Sequence, residues 1–189
     1  MIAIPSGFSS EEYLALERKN AVRHEYRRGL VYAMAGGSDD HSSLTINFLT
    51  VLNLHLRGSE CRVFSGDVKV NYAETFYYYP DAFVTCDPRD HKDRYVKRHP
   101  KLIVEVLSPS TESFDQADKF ADYKSLGSLQ EYVLVSQNAI QVECRRAKEN
   151  SQGEWQIEIY RKGEQIALNS VGLLLPIEEL YVGIEIAET

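Results

Sequence analysis

Apolar and polar residues alternate along this 189-residue chain in two periods, and the changes of period mark out its elements. Ser9-Ser10-Glu11-Glu12 forms a capping-box pattern, with Ser9 as N-cap, and predicts a helix to about Asn20. His24–Arg28 and Leu30–Ala35 predict a hairpin around Gly29. Gly36-Gly37 breaks the chain. Ser38 or Asp39 then opens a longer helix, with Leu44, Phe48, Val51 or Leu52, and His55 at helical spacing and Gly58 at its end. Arg62–Phe64, Val68–Tyr72 and Phe76–Cys86 predict strands. Lys101–Leu107 is a nearly continuous apolar run, as expected of a strand covered on both faces.

The turn Ser108-Pro109-Ser110-Thr111 leads into a predicted helix, Asp115–Leu126, whose apolar positions are Phe114, Ala117, Ala121 and Leu126 and which Gly127 closes. Glu131–Ser136 is a second buried strand. Strand, helix and strand in this order make a βαβ unit, so Lys101–Leu107 and Glu131–Ser136 are expected to pair in parallel. Ile140–Arg145 and Trp155–Tyr160 predict an antiparallel hairpin with its tip at Lys148–Gly153, and Pro176–Leu180 a single helical turn. With no repeat, low-complexity tract or linker, residues 1–189 read as one α/β (α+β) domain with a mixed sheet.

Composition narrows the class. An apolar fraction of 43% suits a globular core, and no apolar run approaches the roughly 18 residues that span a bilayer. Met1-Ile2-Ala3-Ile4-Pro5 lacks the basic-then-apolar pattern of a signal peptide, and a cytoplasmic location is expected. Cys61, Cys86 and Cys144 are odd in number and widely spaced, and read as unpaired thiols. A net charge of −7 disfavours loose binding to nucleic acid. One segment departs from that average. Between Arg89 and Lys101, six basic residues (Arg89, Lys92, Arg94, Lys97, Arg98, Lys101) face two acidic ones, a local balance of +4. A solvated loop is the plain reading, and its place between two strand carboxylates raises a DNA-contacting one.

Those carboxylates, Asp81 and Glu105, are the main chemical signal. Each lies in an apolar strand, where a charge is costly to bury without a partner. Together they could hold one divalent cation, which favours oxygen ligands. Taken singly, Asp81 could be a turn residue after Pro80, and Glu105 a buried acid satisfied by a lysine or by backbone donors.

Glu25, His41, Pro80-Asp81, the string Glu105-Val106-Leu107-Ser108-Pro109-Ser110-Thr111, then Asp115-x-x-x-Lys119-x-x-x-Tyr123 and Gly127-x-x-x-Glu131-Tyr132 resemble the PD-(D/E)XK nuclease superfamily. More narrowly, the chain is similar to its Uma2 (DUF820) group from about Tyr13 to Gln137. The resemblance implies a restriction endonuclease-like fold, a central mixed sheet flanked by helices. It also implies Mg²⁺- or Mn²⁺-dependent hydrolysis of DNA phosphodiesters, with Asp81 and Glu105 as metal ligands, Glu25 in an outer role, and frequent homodimerisation. The superfamily lysine two residues after the second acid is replaced by Leu107. The group's pattern points instead to Lys119, with Lys69 ranked below it. An exposed Asp115–Lys119 helix pair is the competing role for Lys119. Helix capping or packing is the default for His41, an exposed strand position for His24, and strand packing for Tyr77, Tyr78 and Tyr79. Ser110 and Thr111 are candidate caps of the following helix, whose N-terminus could also hold a phosphate. A catalytically inactive binding or regulatory module of the same fold is the alternative function, and hydrolysis of a small phosphate ester a third.

Overall fold

The computed structural model describes residues 3–4, 7–34, 36–148 and 153–186. Two six-stranded sheets carry the fold. The first has the order β1-β3-β2-β6-β5-β8 (Ala3–Ile4, Leu30–Ala33, His24–Arg27, Phe76–Tyr78, Lys69–Tyr72, Val96–Lys97). The second has the order β12-β11-β10-β9-β7-β4 (Trp155–Arg161, Gln141–Ala147, Glu131–Val135, Leu102–Val106, Ala82–Thr85, Arg62–Ser65). A hairpin, β13 (Gln165–Leu168) with β14 (Leu173–Pro176), stands apart and was not anticipated from the sequence. The mixed α+β class holds.

Local signals explain most of the elements. Ser9 and Glu12 exchange both capping-box hydrogen bonds at the start of α1 (Ser10–Glu17). The β2–β3 turn needs Arg28 and Gly29 at positive φ, 47° and 90°. Ser38 caps α2 (Asp39–His55), whose buried face, Leu44, Phe48 and Leu52, covers one side of the second sheet. β9 and β10 pair in parallel, as their buried runs predict, and β11 and β12 pair antiparallel. The tip expected at Lys148–Gly153 and the hairpin end at Ala35 fall largely outside the described residues, as do Met1, Ile2 and Pro5.

Three expectations fail for topological reasons. Phe76–Cys86 is two strands in different sheets. β6 ends at Tyr78, the chain crosses at Tyr79-Pro80-Asp81, and β7 starts at Ala82. Pro80 has no N–H to continue a ladder, so the break falls there. The helix predicted over Asp115–Leu126 starts earlier and ends sooner. It runs as α3 (Glu112–Phe114), a π-helical turn (Asp115–Lys119) and α4 (Phe120–Tyr123). Thr111 occupies its N-cap position without capping it, and its hydroxyl bonds Ser108 instead. Cys61 and Cys86 form a disulfide, because β4 and β7 pair Arg62 with Thr85 and leave the flanking cysteines adjacent. Only Cys144 is a free thiol, buried in the core. The disulfide overturns the reading of Cys61 and Cys86 as unpaired thiols. No helix among the described residues is long and apolar enough to cross a membrane.

Candidate active site

The crossing between the sheets builds the site. Ala82 pairs with Val104 across the antiparallel β7–β9 ladder, so the next position brings Asp81 opposite Glu105. The pleat then turns both side chains to the same face. Along β9, Val104 and Val106 face the α2 side, while Ile103, Glu105 and Leu107 face α4. Glu25 comes from β2 and receives a hydrogen bond from the Tyr79 backbone N–H (3.0 Å), which ties the first sheet to the crossing.

Lys119 enters this space from the π-helical turn. Its Nζ lies 3.2 Å from each of Glu25 Oε1, Glu105 Oε1 and Asp115 Oδ1. Only Glu105 is met in hydrogen-bonding geometry. Asp115 Oδ1 is ion-paired by distance but accepts no hydrogen bond, and it is fully buried. The pairing with Asp115 expected at the helix surface therefore exists, but inside the protein and shared among three acids. Leu107, two residues after Glu105, is half-buried and packs against the apolar cluster that includes Tyr123 of α4. The Tyr123 hydroxyl also donates to Glu105 Oε1 (3.1 Å). Asp115, Lys119 and Tyr123 lie four residues apart in turn, and that spacing was the one sequence signal for Tyr123.

Asp81 is held differently. Its Oδ2 accepts the Val106 N–H (2.8 Å) and lies 3.2 Å from His41 Nε2. His41 therefore lines the cavity rather than capping α2, and Ser38 does the capping. A Cβ on Gly37 would stand 3.0 Å from His41 Nδ1, so the bare backbone there lets the ring pack close. The Asp81 side chain is 21% exposed and that of Glu105 only 4%, both on a cavity of about 130 Å³.

The electrostatics follow from burial. Desolvation pushes Glu105 well above the usual carboxylate range and Glu25 above it, against the pull of Lys119. Burial opposes the charge on Lys119, but Glu105, Glu25 and Asp115 together raise it well above the ordinary lysine value. Lys119 is thus a permanent cation. The hydrogen bond to Asp81 raises His41. Three carboxylates surround one ammonium group and a fourth, Asp81, lines the same cavity, an excess of negative charge that calls for protons or a cation.

Other sequence candidates fall elsewhere. Lys69 is buried over the Tyr79 ring (4.8 Å) and does not line the cavity. His24 is not exposed, since its ring meets Glu17 Oε2 at 3.2 Å. Tyr77, Tyr78 and Tyr79 are buried packing residues. The basic segment lies between β7 and β9 in sequence but joins their other ends, about 13 Å of strand away from Asp81. Lys97 is buried there, bonded to the Asp90 and Asp93 carbonyls, while Arg89 and Arg98 pair with Asp87 and Asp93. None of its six cations lines the cavity.

Residues 10–178 match the sequence pattern of the family Uma2, described as "Putative restriction endonuclease". The chain belongs to the Uma2 family. It is similar to two proteins of Synechocystis sp. (strain ATCC 27184 / PCC 6803 / Kazusa). "Uncharacterized protein slr1290" is 39% identical over 93% of this chain and 92% of that protein. "Uncharacterized protein sll1609" is 32% identical over 76% and 82%. The fold is also that of a crystal structure described as "a putative nuclease belonging to DUF820" from Anabaena variabilis ATCC 29413. That similarity has a TM-score of 0.77 at 17% identity over 93% of this chain and 98% of the other.

Proposed function

We propose that this Uma2 protein is a metal-dependent endonuclease that hydrolyses DNA phosphodiesters in the cavity between Asp81 and Glu105. The observation that carries this reading is the 3.2 Å approach of Lys119 to Glu105 from a separate helix, which restores the ammonium group that Leu107 displaces from the strand.

The donor set suits a hard cation. Asp81 Oδ1 and Glu105 Oε2 accept no hydrogen bond from the described residues. Among those residues no three His, Cys, Asp or Glu side chains are grouped to hold an ion alone. Mg²⁺ needs only one or two carboxylates and keeps several waters. Asp81 and Glu105 would hold it. Bound there, such an ion polarises a phosphate oxygen and lowers the pKa of water.

The chain's own groups then have defined tasks. Val106 N–H and His41 fix the Asp81 carboxylate, and Lys119 and Tyr123 fix Glu105. Lys119, always charged, cannot act as a base. It offers positive charge to the phosphate oxygens as the transition state forms. Glu25 and Asp115 anchor Lys119. An inactive module of the same fold is the second reading, favoured by the engagement of Lys119 with three acids and by the lack of a three-residue donor cluster.

Cleavage of plasmid and oligonucleotide DNA with Mg²⁺ or Mn²⁺ tests the proposal, comparing wild type with Asp81→Ala and Glu105→Ala. Metal-dependent cutting that both substitutions abolish supports it; equal cutting by all three proteins removes it. A homodimer, if formed, has a candidate seam in the outer strand β12, where Ile157 and Ile159 are exposed. Sedimentation that shows only monomer at working concentration would remove that part.

A further inference from the structure

The cavity at Asp81 does not end at the carboxylates. A second hollow, about 530 Å³, shares Gly37, His41 and Asp81 with it and continues along the first turns of α2 to Arg23 and the Ser65-Gly66-Asp67 turn. The two adjoin as one crevice, with Asp81 and His41 where they meet.

We propose that this crevice accepts an unpaired nucleic-acid strand, not an intact duplex, and that Arg23 holds a phosphate next to the one being cleaved. This rests on the nuclease reading above. The first support is depth. Glu105 lies beneath the surface, so a phosphodiester must be carried into the crevice, and a strand free of its complement can bend to do so. The second is charge. Around the whole crevice, Arg23 and Lys119 are the Lys and Arg residues, against five carboxylates: Glu25, Asp67, Asp81, Glu105 and Asp115. A duplex carries one phosphate charge per roughly 1.7 Å of its axis against roughly 3.4 Å for one strand, so an acidic lining opposes the duplex more. Here the basic segment sits at the far end of β7 and β9, and Lys119 is buried among acids. The third is the state of Arg23. One guanidinium nitrogen is tethered by the Gly66 carbonyl and by Asp67 (2.9 Å), and the side chain is half exposed. Ser42, exposed on the α2 wall, has no hydrogen bond to its hydroxyl among the described residues and can accompany it.

The test compares wild type, Arg23→Ala and Arg23→Lys on a labelled single strand of about 20 nucleotides, its duplex and bis(p-nitrophenyl) phosphate, all with Mn²⁺ (a length that places several phosphates beyond the crevice). Wild type should cut the single strand at least about tenfold faster than the duplex. Arg23→Ala should lose about tenfold on the strand, the scale of one charge-assisted contact, and nothing on the small diester. Arg23→Lys should recover most of the loss. Equal rates on strand and duplex, or an Arg23→Ala loss that is the same on the small diester, would overturn the inference and leave the nuclease reading intact. If wild type cleaves none of the three, the nuclease reading fails, and fluorescence anisotropy with Ca²⁺ decides this one. Tighter binding of single strand than duplex, with a salt slope reduced by about 0.7 in Arg23→Ala, would uphold the crevice as a strand site. Equal or absent binding would end it.

Discussion

Replacing Lys119 with methionine keeps the unbranched stem, one atom shorter, and removes the charge. Three buried carboxylates then lose the ammonium group that stands 3.2 Å from each. Removing one partner of a buried ion pair costs about 3–5 kcal/mol, because the other charge is left uncompensated. The acids can escape part of that cost by taking up protons, and this makes the effect depend on pH. Glu25 and Glu105 already titrate above their ordinary value of 4.5. A raised pKa in the folded protein means that folding favours proton uptake. The stability it contributes is present at low pH and is lost as pH rises through the folded value. Without Lys119 both acids move further up, so the variant should approach wild type in acid and fall behind it above the ordinary carboxylate range. Thermal unfolding at about pH 5 and pH 8 reads this directly. A domain of this size shifts by about 2–4 °C per kcal/mol, which predicts a deficit of about 6–20 °C at the higher pH and a clearly smaller one at the lower. A deficit of equal size at both values, or none at the higher, would show that the four groups do not form the coupled cluster described.

Four further outcomes are expected. His41, raised by its hydrogen bond to Asp81, should titrate above 6.5 by NMR and return toward that value in Asp81→Asn. The stability it lends is full below 6.5 and fades as pH climbs through its folded value, so an unchanged titration in the variant contradicts the contact. Non-reduced, denatured protein should show one reactive thiol, Cys144, and reduction of Cys61–Cys86, 25 residues apart, should lower stability by about 3 kcal/mol. Asp122→Ala strips a buried acid from Arg27 (2.7 Å), Arg28 (3.0 Å) and the Tyr78 hydroxyl (2.7 Å), and chemical denaturation should register a loss of about 3 kcal/mol; a neutral result would mean that solvent replaces the network. Charge reversal in the basic segment, Lys92→Glu with Arg94→Glu, should leave cleavage rates within about twofold, since these side chains lie away from the cavity and exposed charges contribute little at a distance.

How much of this was legible in the sequence depended on how local each cause is. The capping box at Ser9 and Glu12 and the buried runs of β9 and β10 are set by near neighbours, and they came out as read. The approach of Asp81 to Glu105 was suggested by the family resemblance; the antiparallel β7–β9 ladder that produces it is not implied by the βαβ unit of β9 and β10. What escaped is set by partners distant in sequence. The apolar stretch from Phe76 to Cys86 has the composition of a single strand, and only Pro80 hints that it changes sheet. The Cys61–Cys86 bond depends on the β4–β7 register, which no spacing rule reveals. The basic segment illustrates the opposite error. Adjacency in sequence suggested a place beside both acids, yet the four residues of β7 carry the chain to the other end of the sheet. The π-helical turn that sets Asp115 and Lys119 toward Glu105 has no compositional mark at all.

The proposed chemistry needs one cation held by Asp81 and Glu105 beside Lys119. Anomalous diffraction from crystals soaked in Mn²⁺ tests it most directly. A single peak between the two carboxylates, at roughly 2.1 Å from an oxygen of each and absent in Asp81→Ala, is the predicted result. A map with no peak there at a manganese concentration that saturates activity, or a peak that survives the substitution unchanged, would contradict it.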